Sequence, residues 1–334
     1  MRCLASLIIP VLWAFSCPVL TATPPQKDNA DEAEKLLRQA EELTDIRRPG
    51  SHPFHLAARV RIHGEKDQTQ EAAYDLQWKA PTAWRDELRG AGFSQVRIAN
   101  DDKLFVNRKP TSLTMEMFQL LKLLEFPDLI RFSPEAAGKK LETKGSKGSR
   151  KRILEIAYPG LAARKMLVLD SEAPLPERLE YKRSRNFAYE FKDFFEFSGH
   201  RFPRNLIQID LNKPQIEVEV QDLTEATVDP SFLIPAPGTQ WFHWCPHPEL
   251  AKRTDDYQGK VYSIPWPLRN GAMERHVAIY GIIGIDGHLH DLEIVKSAGK
   301  ETDSFWMGIL AQEHYSPATC GKNPVAQEFV RKFP

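Results

Sequence analysis

The sequence predicts an α+β protein: a large antiparallel sheet with helices on its concave face, followed by a small domain whose order is strand, strand, helix, strand. Three observations carry this. Between His52 and about Val220 short segments alternate apolar and polar residues, with turn residues every 8 to 12 positions, as in an antiparallel sheet with one buried face. Residues 28–45 and 111–126 depart from that alternation and repeat apolar positions at helical spacing. The stretch VDPSFLIPAPGTQ at 228–240 holds three prolines and one glycine, a break that ends the first pattern before a second one begins.

Taken in order, DNADEAEKLLRQAEELTD places Ala33, Leu36, Leu37, Ala40 and Leu43 on one side with acids early, an amphipathic helix that Pro49 and Gly50 close. Eleven alternating segments follow, from FHLAARVRIHG to IEVEVQDL, and acids such as Glu217 and Glu219 fall on their polar face. TSLTMEMFQLLKLLEF begins with Ser and Thr caps and stacks Met115, Phe118, Leu121 and Leu124 on one predicted face. A helix lying on the sheet buries both apolar surfaces at once. The basic stretch KKLETKGSKGSR at 139–150 reads as a solvated hairpin tip, because no aromatic residues interleave for stacking on bases. After the proline-rich break, two apolar runs flank IDGH, a hairpin signal. KETDSFWMGILAQEHY reads as a helix presenting Phe305 and Ile309, with Trp306 and Leu310, to that hairpin, and NPVAQEFVRKF reads as the last strand.

The N-terminus has Arg2, an apolar run from Leu4 to Leu20 and then a polar flank, which reads as a secretory signal over residues 1–23 and predicts export of the mature chain. The alternatives are an uncleaved single-span anchor and lipid attachment at Cys17. Formal charge is balanced at 45 acids and 45 bases, so nothing in the total calls for a nucleic-acid partner. Some 310 residues remain after the signal, enough for two domains, divided here as 24–235 and 236–334. Of four cysteines only Cys245 and Cys320 survive signal removal, and two cysteines in an oxidising compartment are expected to pair.

No Gly-x-Ser-x-Gly elbow, His-Glu-x-x-His, phosphate loop or Cys-x-x-Cys occurs, so no enzyme and no cofactor is expected. The densest chemical stretch is WFHWCPH at 241–247. On a strand His243, Cys245 and His247 would share a face, and with His288 and His290 they form the alternative to the disulfide, a zinc or copper site in a metal-dependent enzyme.

Asp286-Gly287, Ser297, Gly299, Tyr315-Ser316-Pro317-Ala318 and Gly321 to Val325 together resemble the TonB C-terminal domain family, with Glu313 where that family usually carries Trp. The resemblance implies a periplasmic protein-docking module that meets an outer-membrane protein by strand addition. Tyr315, Pro317, Val325 and Phe329 are the candidate partner contacts. AAYDLQWKAPTAWRDEL, with its Trp-x-x-Pro-x-x-Trp-Arg phrase, and DPSFLIPAPG resemble the LolA-like family of periplasmic lipoprotein and lipid carriers. That resemblance implies a curved antiparallel half-barrel whose concave face, covered by helices, holds a lipid or lipoprotein acyl chain. Candidate lining residues are Phe54, Leu56, Trp78, Trp84, Met115, Phe118, Leu121 and Leu124, for which plain core packing is the alternative role. The expected function is therefore an exported, non-enzymatic two-domain binding protein associated with envelope transport. The alternative from another class is a membrane-anchored energy transducer for outer-membrane transport.

Overall fold

In β1 (Phe54–His63) the even-numbered residues point inward and the odd ones outward, as the alternation predicts. β1 pairs on one side with β2 (Thr69–Ala80) and on the other with β12 (Lys213–Glu225). The computed structural model describes residues 27–64, 68–130, 139–146, 149–157, 164–170, 172–182, 186–254 and 276–333. The expected signal at 1–23, with Cys17, lies outside the described residues.

The sheet continues from β2 through β3 (Ala83–Gly90), β4 (Phe93–Asn100) and β5 (Lys103–Lys109). In the other direction β12 leads to β11 (His200–Asp210), β10 (Asn186–Phe197), β9 (Pro176–Lys182), β8 (Arg164–Leu169), β7 (Ser149–Ala157) and β6 (Lys139–Ser146). All these pairs are antiparallel, and the end strands do not pair with each other, so the sheet is open. The basic stretch at 139–150, expected as a hairpin tip, instead forms β6 and the start of β7. A lysine-rich strand suits that outermost place, since charge blunts an exposed edge against pairing with other chains.

Helix α1 (Lys27–Thr44) buries Ala33, Leu36, Leu37 and Ala40 against the inward face of the sheet, matching the predicted stripe. Helix α2 (Met115–Leu124) is capped by the Thr114 side chain, which accepts from the Met117 N–H, and the short α3 (Phe126–Ile130) follows it. The buried face of α2 differs from the expected one. Met117, Leu120, Leu121, Leu123 and Leu124 are buried, whereas Met115 and Phe118 are only partly so. The reason is tertiary: α2 lies between β11 and the C-terminal sheet, so apolar contact reaches it from two sides.

The C-terminal sheet has β15 (Val277–Ile283) in the middle, flanked by β16 (Leu289–Lys296) and β20 (Gln327–Phe333), all antiparallel. Every residue of β15 is buried because both faces are covered. Ala278, Tyr280 and Ile282 join the core of the large sheet, and Val277 and Ile279 pack with Leu310 of α4 (Lys300–Leu310). Trp306 of α4 stacks on Phe333 with ring centroids 4.5 Å apart. Asp303 anchors the start of α4 by accepting from the Ser297 hydroxyl at 2.5 Å and the Ala298 N–H at 2.9 Å. Gly287 turns the β15–β16 hairpin at a φ of +77°, and a Cβ there would sit 2.1 Å from the Tyr315 carbonyl oxygen. Only glycine serves both requirements.

Residues 240–254 stitch the two parts together. β13 (Gln240–His243), expected to belong with the C-terminal module, pairs with β5 and becomes the thirteenth strand of the large sheet. Two residues later Cys245 is disulfide-bonded to Cys320 in β18 (Ala318–Cys320), with Cα atoms 6.2 Å apart. β18 pairs in turn with β19 (Asn323–Val325). Glu249 bridges Thr319, and β14 (Lys252–Arg253) pairs with β17 (Tyr315–Ser316). No helix among the described residues is long and apolar enough to cross a membrane.

Candidate functional site

Where the strap of residues 240–254 crosses between the two sheets it roofs a cavity of about 290 Å³. One wall comes from β2 and β3, through Tyr74, Leu76, Trp78, Trp84 and Asp86. The roof is Phe242, Trp244, Pro246, His247 and Pro248, and the C-terminal sheet closes the far side with Ile282. Trp84 and Trp244 meet edge to face at 5.6 Å, so the wall and the roof are joined by an aromatic contact.

Polar groups converge on one side of this apolar space. Asp86 of β3 and Arg97 of β4 are direct cross-strand partners. The Arg97 guanidinium donates to Asp86 at 2.5 Å from Nη2 and at 3.1 Å from Nε, and its Nη1 donates to Glu125 at 3.1 Å. Tyr74 donates its hydroxyl to Asp86 at 3.2 Å, and Arg97 lies over the Trp84 ring at 5.3 Å. Asp86 is 2 % exposed and Arg97 11 %, so the pair stands in a low-dielectric setting where each group depends on the other. Burial alone would lower the guanidinium pKa, but Asp86 and Glu125 outweigh it and hold Arg97 well above its usual range. Burial, aided by the Asp86 carboxylate, pushes the Tyr74 phenol up.

A second polar cluster pins the seam behind Ile282. Arg108 of β5 makes a two-pronged contact to Glu328 of β20, at 3.0 and 3.1 Å, and donates to Gln95 at 2.6 Å. Tyr280 donates its hydroxyl to the same carboxylate at 2.7 Å. A third cluster centres on Glu313, which is buried and takes Arg331 at 2.8 Å, Arg253 at 2.9 Å and the Tyr315 hydroxyl at 2.5 Å. The acid at the position where the TonB-like pattern has Trp thus ties the strap to β20. Burial and Glu313 together push the Tyr315 phenol up to about 12.

Of the residues proposed from the sequence to line a lumen, Trp78 and Trp84 reach the cavity. Phe54, Leu56, Leu121 and Leu124 are packed in the main core, with Phe54 stacked on Trp78 at 5.2 Å, and Met115 and Phe118 lie at its margin. Tyr315, Val325 and Phe329 are buried within the C-terminal part, and Pro317 stands in the turn beside them. The expected Cys245–Cys320 bridge is formed. His243 and His247 do not share a strand face with Cys245, since β13 ends at His243 and Pro246 and Pro248 carry no N–H to extend the ladder. The histidines instead face separate neighbours: His243 lies by Asp102, His247 by Asp128, His290 by Asp286, and His288 meets His314 edge-on. Among the described residues no group of three or more His, Cys, Asp or Glu is placed to hold a metal ion.

Asp86, Arg97, Tyr74, Phe242 and Trp244 were not singled out as cavity residues from the sequence. One signal for them existed. In AWRDELRG the inward register runs Trp84, Asp86, Leu88, and an acid on an apolar face demands a buried partner.

No family model matches this chain, and no curated protein matches it. Among solved structures it is similar to a LolA superfamily protein from Nitrosomonas europaea, at 13 % identity and a TM-score of 0.40, over 61 % of this chain and 97 % of that one. It is also similar to a putative outer membrane lipoprotein-sorting protein domain from Vibrio parahaemolyticus, at 11 % identity and a TM-score of 0.38, over 60 % and 97 %. A DUF1329 family protein from Desulfovibrio piger matches at 11 % identity and a TM-score of 0.41, over 62 % and 97 %. At these values the likeness concerns only the open antiparallel sheet that the strand order already establishes. The resemblance of residues 286–325 to the TonB C-terminal family is not shown by these comparisons.

Proposed function

We propose that this chain is an exported periplasmic binding protein that holds an apolar ligand, such as an acyl chain, in the cavity between its large sheet and its C-terminal module. The carrying observation is the cavity itself: an aromatic-walled space with a small set of fixed polar groups, the usual character of a ligand site. Its walls come from both parts of the chain, so binding and the relative placement of those parts are coupled. The disulfide that fixes the roof supports an oxidising compartment. The reading is of a carrier or sensor, since the cavity lining is mainly aromatic and apolar with its charged groups held in ion pairs such as Asp86–Arg97.

The C-terminal module is read as the partner-docking half, serving envelope transport. Because Tyr315, Val325 and Phe329 are buried, a partner would meet the main chain of an outer strand of the three-stranded sheet, β16 or β20, rather than those side chains. Native mass spectrometry of protein purified from its own periplasm tests the ligand reading, with displacement of a polarity-sensitive naphthalene dye as the second measurement. A stoichiometric apolar adduct and saturable dye binding are expected. Neither an adduct nor dye binding would overturn the reading.

A further inference from the structure

The strap that roofs the cavity is held from both ends, with a disulfide between. Toward the large sheet it is fixed as far as Trp244, by the β13–β5 ladder, by the Trp244 N–H donating to the Asp102 carbonyl oxygen at 2.8 Å and by the Trp84 ring. Toward the C-terminal module it is fixed from Glu249 onward, which exchanges main-chain hydrogen bonds with Thr319 at 2.8 and 2.9 Å. The Ala251 N–H donating to the Gln327 side chain at 2.9 Å and the Arg253–Glu313 ion pair continue that hold. Residues 245–248 span the interval, and Pro246, His247 and Pro248 among them line the cavity. Pro246 and Pro248 have no N–H to offer a ladder. Cys245 begins this span, and its bond to Cys320 ties the span covalently to the module.

The two cysteines differ in access. Cys245 is buried, whereas Cys320 is partly exposed and opens the β18–β19 turn, in which Gly321, Lys322, Asn323 and Pro324 are all exposed. Thiol–disulfide exchange begins when a thiolate reaches one of the two sulfurs, and Cys320 is the one within reach. The thiolate of a dithiol reductant attacks the Cys320 Sγ, the S–S bond breaks, and Cys245 leaves as a thiolate that takes up a proton. The second thiol of the reductant then displaces Cys320, which also ends as a thiol. Two electrons and two protons pass to the bridge, and the reductant closes into its own disulfide. Because the anchors at Trp244 and Glu249 do not involve the sulfurs, reduction loosens the roof between them without detaching the strap.

We infer that the Cys245–Cys320 disulfide is a redox latch on the cavity: oxidised, it holds residues 245–248 down over a bound ligand, and reduced, it lets that span lift and the ligand exchange. The inference rests on the apolar-ligand reading above. The test follows release of the polarity-sensitive naphthalene dye from the full chain by stopped-flow dilution, before and after treatment with dithiothreitol, with thiols counted in the absence of denaturant. Reduction is expected to expose both thiols, to leave the far-UV circular dichroism unchanged and to speed dye release about tenfold. Reoxidation restores the slow rate. The double variant Cys245→Ser, Cys320→Ser releases dye at the fast rate whether or not reductant is present. Equal release rates from the oxidised and reduced protein overturn the latch while the apolar site stands. So does a bridge that resists dithiothreitol without denaturant, or a far-UV signal lost on reduction, which would make the bridge a support of the whole fold. Failure of the dye to bind either form overturns both readings.

Discussion

Arg108→Met probes how much of the stability depends on the seam between the two sheets. The Arg108 side chain is 3 % exposed and Glu328 20 %, so the pair sits close to the interior limit, where removing one partner leaves a charge with little solvation. Breaking such a pair costs about 3 to 5 kcal/mol. Glu328 keeps some water and the Tyr280 hydroxyl, which places its share near the lower end, about 3 kcal/mol. Gln95, also buried, loses the 2.6 Å donor to its carbonyl oxygen and adds about 1 kcal/mol. Arg108→Met alone is therefore expected to cost about 4 kcal/mol. In the double variant Arg108→Met, Glu328→Met the stranded charge is gone; Gln95 and Tyr280 lose a partner at about 1 kcal/mol each, and the Thr111 carbonyl, on an exposed residue, loses only a 3.4 Å donor. The double variant should then be more stable than the single one by about 2 kcal/mol, against the usual direction for adding a core substitution. Urea unfolding followed by tryptophan fluorescence and circular dichroism measures both values. A double variant no more stable than Arg108→Met would refute the view that a stranded Glu328 charge dominates the loss.

Three further outcomes follow from the same structure. Replacing both Cys245 and Cys320 by Ser releases a 75-residue closure and lowers stability by about 4 kcal/mol on the chain-entropy account, seen as a matching drop in urea midpoint and a loss of sensitivity to reductant. Gly287→Ala drives a Cβ onto the Tyr315 carbonyl at a positive φ and costs about 2 kcal/mol or more, readable by thermal melting; an unchanged melting temperature would remove the close approach. Lys165, on β8, has its pKa pushed from 10.5 down to about 8, chiefly by burial and then by Lys122. The folded state therefore holds fewer protons than the unfolded one between those values, and stability rises with pH across that window. Lys165→Met should raise the melting temperature at pH 7 and flatten that rise, and a pH profile identical to that of the parent would contradict the assignment.

Much of this molecule is decided locally. Alternation along β1 and β2 depends only on the period of an extended chain with one dry face, so the strands and their inward residues were legible without any knowledge of their partners. The helix of residues 27–44 was legible for the same reason, and the disulfide was expected from reading the first two of four cysteines as part of an export signal. What escaped local reading depends on distant chain segments meeting. The buried face of α2 was misjudged because the C-terminal sheet covers a side that the 3.6-residue period alone leaves open. The histidines of WFHWCPH looked like ligands because their neighbours Asp102 and Asp128 lie more than a hundred residues earlier in the chain. Phe242, Trp244, Pro246 and His247 of that stretch roof the cavity only because β13 pairs with β5 while Cys245 is bonded to Cys320. Side-chain periodicity reports which face is dry; only tertiary contact between segments far apart in the chain decides what that face meets, and so where a cavity opens.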